Sequence, residues 1–86
     1  MTTLTYTEAA TIVCEAIVEV APEVEDELRG LDTASDVFDV LGLDSMDHLT
    51  VMEALSEQTG VEIPERQYGM LRSVEAIGKY IAAEAP

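Results

Sequence analysis

The chain has 86 residues, 48% of them hydrophobic, which permits one domain with one modest core. Eighteen acidic residues against four basic ones give a net charge of −14, which excludes nucleic acid and anionic membranes as partners and favours basic protein surfaces. The single cysteine, Cys14, excludes an internal disulfide, and the sequence contains neither a targeting signal nor a membrane-spanning run. We therefore expect residues 1–86 to form one free-standing domain, monomeric and cytoplasmic, with no membrane span.

The first predicted helix begins at a capping box. Thr5 is followed three residues later by Glu8, the spacing at which each side chain bonds the other residue's backbone N–H. Behind this pair, apolar residues recur at helical spacing, namely Ala9, Ile12, Val13, Ala16, Ile17 and Val20. Because the residue before Pro22 is disfavoured in a helix, we predict a helix over residues 5–21.

Residues 22–44 have no sustained hydrophobic period and contain proline, glycine and many aspartates, which predicts a long loop. Its apolar residues should fasten it to the core; they are Leu28, Leu31, Val37, Phe38, Val40 and Leu41. Ser35 is placed to cap a single helical turn through Asp36–Val40.

The second predicted helix begins at Asp44 or Ser45 and ends near Thr59, where Gly60 suits a helix C-terminus. Its buried face is expected to consist of apolar residues, namely Met46, Leu49, Val51, Met52 and Leu55. Three acidic residues, Asp47, Glu53 and Glu57, lie on or near the opposite, solvated face.

Two more helices are predicted in the C-terminal part. Pro64 suits the start of a short helix over residues 65–70, which Gly69 weakens. Ser73 caps the last helix, whose apolar stripe is Val74, Ile77, Tyr80 and Ile81. The sequence therefore predicts an all-α fold: a four-helix bundle with three longer helices, a short third helix and a long loop between helices one and two.

Ser45 is the most informative residue, because it lies at the predicted start of the second helix. Backbone N–H groups point outward at a helix N-terminus, and the helix dipole favours negative charge there. A phosphate attached to the Ser45 hydroxyl would lie in a favourable field. Taken alone, the serine would be an ordinary helix cap.

The run Leu41-Gly42-Leu43-Asp44-Ser45 resembles the phosphopantetheine attachment site of acyl carrier proteins. Further segments resemble the family in spacing: Glu62-Ile63-Pro64, Ser73-Val74 and Tyr80-Ile81. The resemblance implies a carrier that catalyses nothing and holds acyl groups as thioesters on a 4'-phosphopantetheine arm at Ser45. It also implies that Asp44 helps to hold a divalent metal during transfer of the arm from coenzyme A.

The implied pathways are fatty-acid, polyketide or related secondary-metabolite biosynthesis. The implied partners are a phosphopantetheinyl transferase and acyl-transferring and synthase enzymes with basic docking surfaces. We expect these partners to contact Asp44, Met46, Asp47, Glu53 and Glu57. An attached acyl chain is expected to enter a cavity lined by Met46, Leu49, Val51, Met52, Met70 and Leu71.

The chain departs from the family pattern at several positions. Val40 stands where aspartate is common, Thr59 where an aromatic residue is frequent, and Gly78 where a branched apolar residue is usual. The changes at Thr59 and Gly78 predict a less tightly packed carrier or one with a different acyl cavity. Two alternatives remain: a peptidyl or aminoacyl carrier protein, and an unmodified acidic helical adaptor that binds a basic protein. The strong acidity and the Leu43-Asp44-Ser45 run favour an acyl carrier over a peptidyl carrier.

No catalytic or metal site is expected. The aspartates near Ser45 lack the ligand spacing and closing glutamate of a calcium loop. His48 is expected on the surface without a role, one helical turn from Ser45. Cys14 has no histidine or basic neighbour in sequence, so we interpret it as a structural thiol. The methionines at positions 1, 46, 52 and 70 are expected to fill core space.

Overall fold

The computed structural model describes residues 4–85, which form helices and connecting segments without a strand. The prediction of an all-α fold is therefore confirmed for this part of the chain. Met1, which was expected to fill core space, lies outside the residues that the structure describes. Five α-helices follow one another: α1 (Tyr6–Val20), α2 (Glu25–Arg29), α3 (Val37–Val40), α4 (Ser45–Thr59) and α5 (Val74–Glu84). Two 3₁₀ helices, Pro22–Val24 and Glu65–Met70, lie between them.

The ends of the long helices are fixed by local hydrogen bonds. Thr5 Oγ1 accepts from the Glu8 N–H at 3.1 Å and Glu8 Oε1 accepts from the Thr5 N–H at 3.0 Å, which confirms the predicted capping box. Gly60 ends α4 in the left-handed region at φ 74°, and Ser73 Oγ accepts from the Ala76 N–H at 2.9 Å to start α5. Such caps depend on neighbouring residues only, so the sequence pattern is sufficient to locate them.

The predicted long loop is more structured than expected, since it contains one 3₁₀ helix and the two short helices α2 and α3. Asp36, and not Ser35, caps α3, with Asp36 Oδ1 accepting from the Asp39 N–H at 3.1 Å. Arg72 Nε donates to Asp36 Oδ2 at 2.6 Å. This long-range ion pair holds the Asp36 carboxylate at the helix start, and it lowers the pKa of Asp36 chiefly through the hydrogen bond from Arg72.

Backbone hydrogen bonds fasten this segment to the beginning of α5. The Val37 N–H donates to the Arg72 carbonyl and the Glu75 N–H donates to the Thr33 carbonyl, both at 2.9 Å. Phe38, which is fully buried, anchors the same segment in the core. The chain that leads to α4 is therefore held by contacts at both backbone and side-chain level.

α1 packs against α5 and α4, and Gly78 lies in the α1–α5 contact. Gly78 is buried, and a Cβ there would lie 3.1 Å from Tyr6 Cε1 and 3.4 Å from the Ala10 backbone nitrogen. Sequence reasoning took this glycine as a loss of core volume. That interpretation is wrong, because the space beside Gly78 is already filled by α1.

Gly78→Val is expected to destabilise the protein by about 1–3 kcal/mol, because the added methyl groups overpack the α1–α5 contact. The matched control is Ala83→Val, an exposed position on the same helix, where the loss should stay below about 0.7 kcal/mol. Chemical denaturation of both variants measures the difference. A Gly78→Val protein as stable as the wild type would show that the two helices can separate without loss.

Candidate functional site

Ser45 is the first residue of α4, and its side chain is exposed. The cap is supplied by the preceding residue: Asp44 Oδ1 accepts from the Asp47 N–H at 2.9 Å, and Asp47 Oδ2 accepts from the Asp44 N–H at 3.2 Å. This reciprocal pair is a capping box. The Ser45 hydroxyl is therefore not the cap of α4, and it remains accessible at the positive end of the helix dipole.

A tight turn delivers the chain to Ser45. Gly42 has a φ of 70°, a left-handed backbone conformation that residues other than glycine seldom adopt. Just after this turn the Leu43 N–H donates to the Phe38 carbonyl at 2.8 Å. Because Phe38 is fully buried, this bond ties the segment immediately before Asp44 to the core.

His48 lies in the core and not on the surface, so the sequence-based expectation was wrong. The residue is 5% exposed, and its ring stacks on Phe38 with 4.0 Å between centroids. Its Nε2 lies 3.0 Å from the carbonyl oxygen of Leu71. A carbonyl can only accept, so Nε2 carries the proton and donates to Leu71. We call the meeting point of Phe38, His48 and Leu71 the junction.

Charged groups border the junction on one side. Arg72 Nη1 lies 3.5 Å from His48 Nδ1, and the guanidinium carbon lies 5.8 Å from the centre of the Phe38 ring. Burial is the largest influence on the pKa of His48 and lowers it, and the positive charge of Arg72 lowers it further. The Leu71 carbonyl and Asp36 act in the opposite direction but do not reverse the shift. The imidazole is therefore neutral near pH 7, and it joins α4 to α3 and to the start of the segment before α5.

The apolar residues predicted around the site separate into two groups. Val51, Met52 and Leu71 are buried and Leu49 is half-buried, whereas Met46 is 67% exposed and Met70 is 73% exposed. Met46 is therefore not on the buried face of α4, and Met70 does not fill core space. At 3.6 residues per turn Met46 is about 200° around the helix from His48, so the buried histidine directs Met46 outward.

The predicted acidic surface is largely open to solvent. Asp44, Glu53 and Glu57 are exposed, and Asp47 is half-buried because it belongs to the capping box. The sequence contains no lysine or arginine from residue 31 to residue 65. Burial raises the pKa of Tyr68, and the negative charges of Glu65 and Glu53 raise it further. The Tyr68 ring therefore lies close to negative charge.

A groove that sequence reasoning missed lies between α1 and the α2 region. Its volume is about 530 Å³, and its apolar lining comes from Cys14, Val18, Leu28 and Leu31. Burial, with a smaller contribution from Glu15, raises the pKa of the Cys14 thiol. The thiol is therefore protonated at neutral pH, in keeping with the structural interpretation of Cys14.

Among residues 4–85 no three His, Cys, Asp or Glu side chains are grouped so that they could hold a metal ion. Within the same range no helix is both long enough and apolar enough to cross a membrane.

The chain matches a known protein family over most of its length. The family model described as "phosphopantetheine attachment site" matches residues 11–81, a range that includes α4, the junction and most of α5. The chain belongs to this family, whose members carry 4'-phosphopantetheine as prosthetic group. It is thus a phosphopantetheine-bearing carrier protein. Searches of the curated proteins and of the solved structures give no match.

An exposed primary hydroxyl at the start of α4 fits the group. Ser45 leaves the capping to Asp44, and the first turn of a helix offers backbone N–H groups to an anion. Carriers of this family interact with a modifying transferase and with synthase enzymes, so the surface around the attachment residue must be reachable by other proteins.

Proposed function

We propose that Ser45 is the attachment residue and that the protein carries acyl groups as thioesters for fatty-acid, polyketide or related secondary-metabolite biosynthesis. The observation that supports this most strongly is the exposed Ser45 hydroxyl, which is free of the capping role taken by Asp44. We infer further that α1, α4, the 3₁₀ helix Glu65–Met70 and α5 are the four helices of the predicted bundle. A single domain, a monomeric state and a cytoplasmic location stay predictions from the sequence.

The chain's own contribution is to present and orient the attachment point. Ser45 supplies the oxygen that bonds to the phosphorus next to the pantetheine group of coenzyme A, and its proton is lost to a base as that bond forms. The bond from this phosphorus to the bridging pyrophosphate oxygen breaks at the same time, and adenosine 3',5'-bisphosphate leaves. The N–H groups at the start of α4 then face the phosphodiester charge. Asp44 is exposed beside the serine, where we propose that it helps to hold a divalent metal during the transfer. When bound, the arm supplies the thiol that forms the thioester.

The proposal is tested with purified protein, coenzyme A and a broad-specificity phosphopantetheinyl transferase. Intact mass should rise by one phosphopantetheine, and fragmentation of the modified peptide should locate it at Ser45. A peptide modified elsewhere would contradict the site. A mass that does not change would favour the unmodified acidic adaptor, and binding to a basic protein partner would then be the activity to measure.

Partner binding is proposed to depend on the acidic residues Asp44, Asp47, Glu53 and Glu57, with Met46 among them as an apolar contact. Glu53→Lys should strongly slow transfer of phosphopantetheine to the protein by the transferase at about 0.1 M salt. The effect should be much smaller at about 1 M salt, because the screening length falls from about 10 Å to about 3 Å. The matched control is Glu84→Lys, which makes the same charge change at an exposed position on another helix. Glu84 lies roughly 16 Å further along α5 than Ser73, which is two residues from Leu71 of the junction. Equal rates for both variants would argue against a docking surface on α4.

An attached apolar chain is proposed to enter beside α4 among Leu49, Val51, Met52 and Leu71, with Met46 and Met70 at the solvent edge. Each buried CH₂ should stabilise the protein by roughly 0.8 kcal/mol, so the octanoyl form should melt above the holo form. Methyl NMR of the two forms locates the chain. Shifts confined to Val18, Leu28 and Leu31 would instead put it in the groove beside α1, and unmoved signals would leave it in solvent.

A further inference from the structure

The groove between α1 and the α2 region continues along α1 into a second cavity. This cavity has a volume of about 370 Å³ and shares Cys14, Glu15 and Thr33 with the groove. Together the two cavities follow α1 from Tyr6 to Glu19, a distance of about 20 Å. We call them the extended groove. Its lining residues belong to α1, α2, the segment after α2 and the first residue of α5, so it is a different surface from the acidic face of α4.

Two rows of α1 side chains border the extended groove, and in each row the residues are four positions apart. The first row is apolar and consists of Tyr6, Ala10, Cys14 and Val18. The second row is polar and exposed and consists of Thr7, Thr11, Glu15 and Glu19. Leu28 and Leu31 line the groove from the side of α2. Rows with this spacing are the ridges against which a second helix packs, so an α-helix fits along them.

The edge of the extended groove is acidic. Glu15 and Glu19 on α1 and Glu25 on α2 all line it, and all three are exposed. The one basic lining residue, Arg29, already has acidic partners: its Nη2 donates to Glu25 Oε2 at 3.1 Å, and its Nη1 lies 3.9 Å from Asp26 Oδ1. The edge therefore has a net negative charge, and complementarity requires a cationic occupant.

We propose that the extended groove binds a basic amphipathic helix of a partner protein, with its apolar side chains in the groove and its lysines or arginines beside Glu15 and Glu19. Laying an apolar helix face into a groove is a common mode of peptide recognition. A bare acyl chain would fill the apolar row and leave the carboxylates without partners. A second copy of this chain, itself of net charge −14, would bring like charges together. The proposed site does not include Ser45, so it is present with or without an attached arm.

The probe is a synthetic helical peptide of about 14 residues that contains only leucine and lysine, with the leucines on one face. The control peptide has the same composition in an order that forms no apolar face, so its charge is identical. At about 0.15 M salt the first peptide should bind at least tenfold more tightly than the control, as measured by calorimetry. It should also shift the methyl NMR signals of Val18, Leu28 and Leu31. Equal affinities, no binding or unmoved signals would each overturn the proposal.

Two charge variants locate the acidic edge. E15Q/E19Q should weaken binding of the first peptide about fivefold, because it removes two carboxylates from the groove. The matched control is E53Q/E57Q, which removes the same charge at the same spacing from exposed positions of α4 and should stay within about twofold of the wild type. A control that loses as much affinity as E15Q/E19Q would put the peptide on α4 and overturn the proposal.

Val18→Lys tests the apolar row, because the longer side chain fills the groove and adds a like charge. Binding should weaken about tenfold or more, whereas Val40→Lys, the same change at an exposed valine of α3, should have an effect of about twofold. Unchanged binding by a folded Val18→Lys protein would overturn the proposal. Melting temperatures show whether the variants are folded, and E15Q/E19Q carries the test if Val18→Lys is not. Ser45→Ala should bind the peptide like the wild type, so a failure of arm attachment and a failure of peptide binding are separate results.

Discussion

Ser45→Ala is expected to abolish attachment of the arm while leaving the melting temperature nearly unchanged. The first effect follows because alanine has no oxygen to form the phosphodiester. The second follows because Asp44, and not Ser45, caps α4. Intact mass after incubation with coenzyme A and the transferase measures the first effect, and thermal unfolding of the unmodified protein measures the second.

Two matched variants separate attachment from capping. Ser35→Ala removes a hydroxyl from the preceding segment and should be loaded like the wild type. Asp44→Ala keeps the Ser45 hydroxyl and loses the cap, so it should lower the free energy of unfolding by about 0.5–2 kcal/mol and slow the loading. A Ser45→Ala protein that gains mass would rule out the site, and one destabilised as much as Asp44→Ala would mean that the serine has a capping role.

The long helices could be predicted from the sequence because their ends depend on nearby residues. The Thr5–Glu8 pair, the glycine after Thr59 and the serine before Val74 are each satisfied within a few residues of the chain. The predicted bounds therefore agree with the structure to within one residue at both ends of α1 and at the end of α4.

The burial of individual side chains near the site could not be predicted in this way. His48 and Met46 lie on one helix, and periodicity alone assigned the apolar residue to the core and the polar one to the surface. The reverse holds, because Phe38 provides a ring to stack on and Leu71, 23 residues away, provides an acceptor. Neither partner can be inferred from the helix that contains His48.

The same reason explains the cap of α3 and the role of Gly78. Ser35 and Asp36 are both good N-cap residues, and the choice between them follows the ion pair with Arg72, 36 residues further on. Gly78 resembles a packing defect in the sequence, yet α1 comes close enough to fill the space. In both cases the deciding group belongs to a distant part of the chain.

Acid is expected to destabilise the wild type through His48. The pKa of this buried histidine lies below its ordinary value of 6.5, so near and below that pH the unfolded chain binds more protons than the folded one. The contribution of neutral His48 to the free energy of unfolding is therefore fully present above about pH 6.5. It is lost as the pH falls towards the pKa of His48 in the folded state. The loss can reach about 1.4 kcal/mol per pH unit, the limit for one proton.

The junction explains the sign of this effect. With Nε2 donating to Leu71, an added proton must go to Nδ1, which faces the Arg72 guanidinium. Asp36 favours that proton, but burial and the arginine charge oppose it, and burial is the largest influence. The ring also stacks on Phe38 and is only 5% exposed, so little of the imidazole is solvated.

His48→Gln supplies the comparison, because it removes the titrating group. The carboxylates also titrate as the pH falls, and their protonation relieves repulsion in a chain of net charge −14. The informative quantity is therefore the difference in free energy of unfolding between wild type and His48→Gln, measured by urea denaturation from about pH 7.5 to about pH 5. This difference should fall with decreasing pH. His48 is the only histidine, so its single ring Cε1–H NMR signal gives the pKa directly, and a value at or above 6.5 would contradict the prediction.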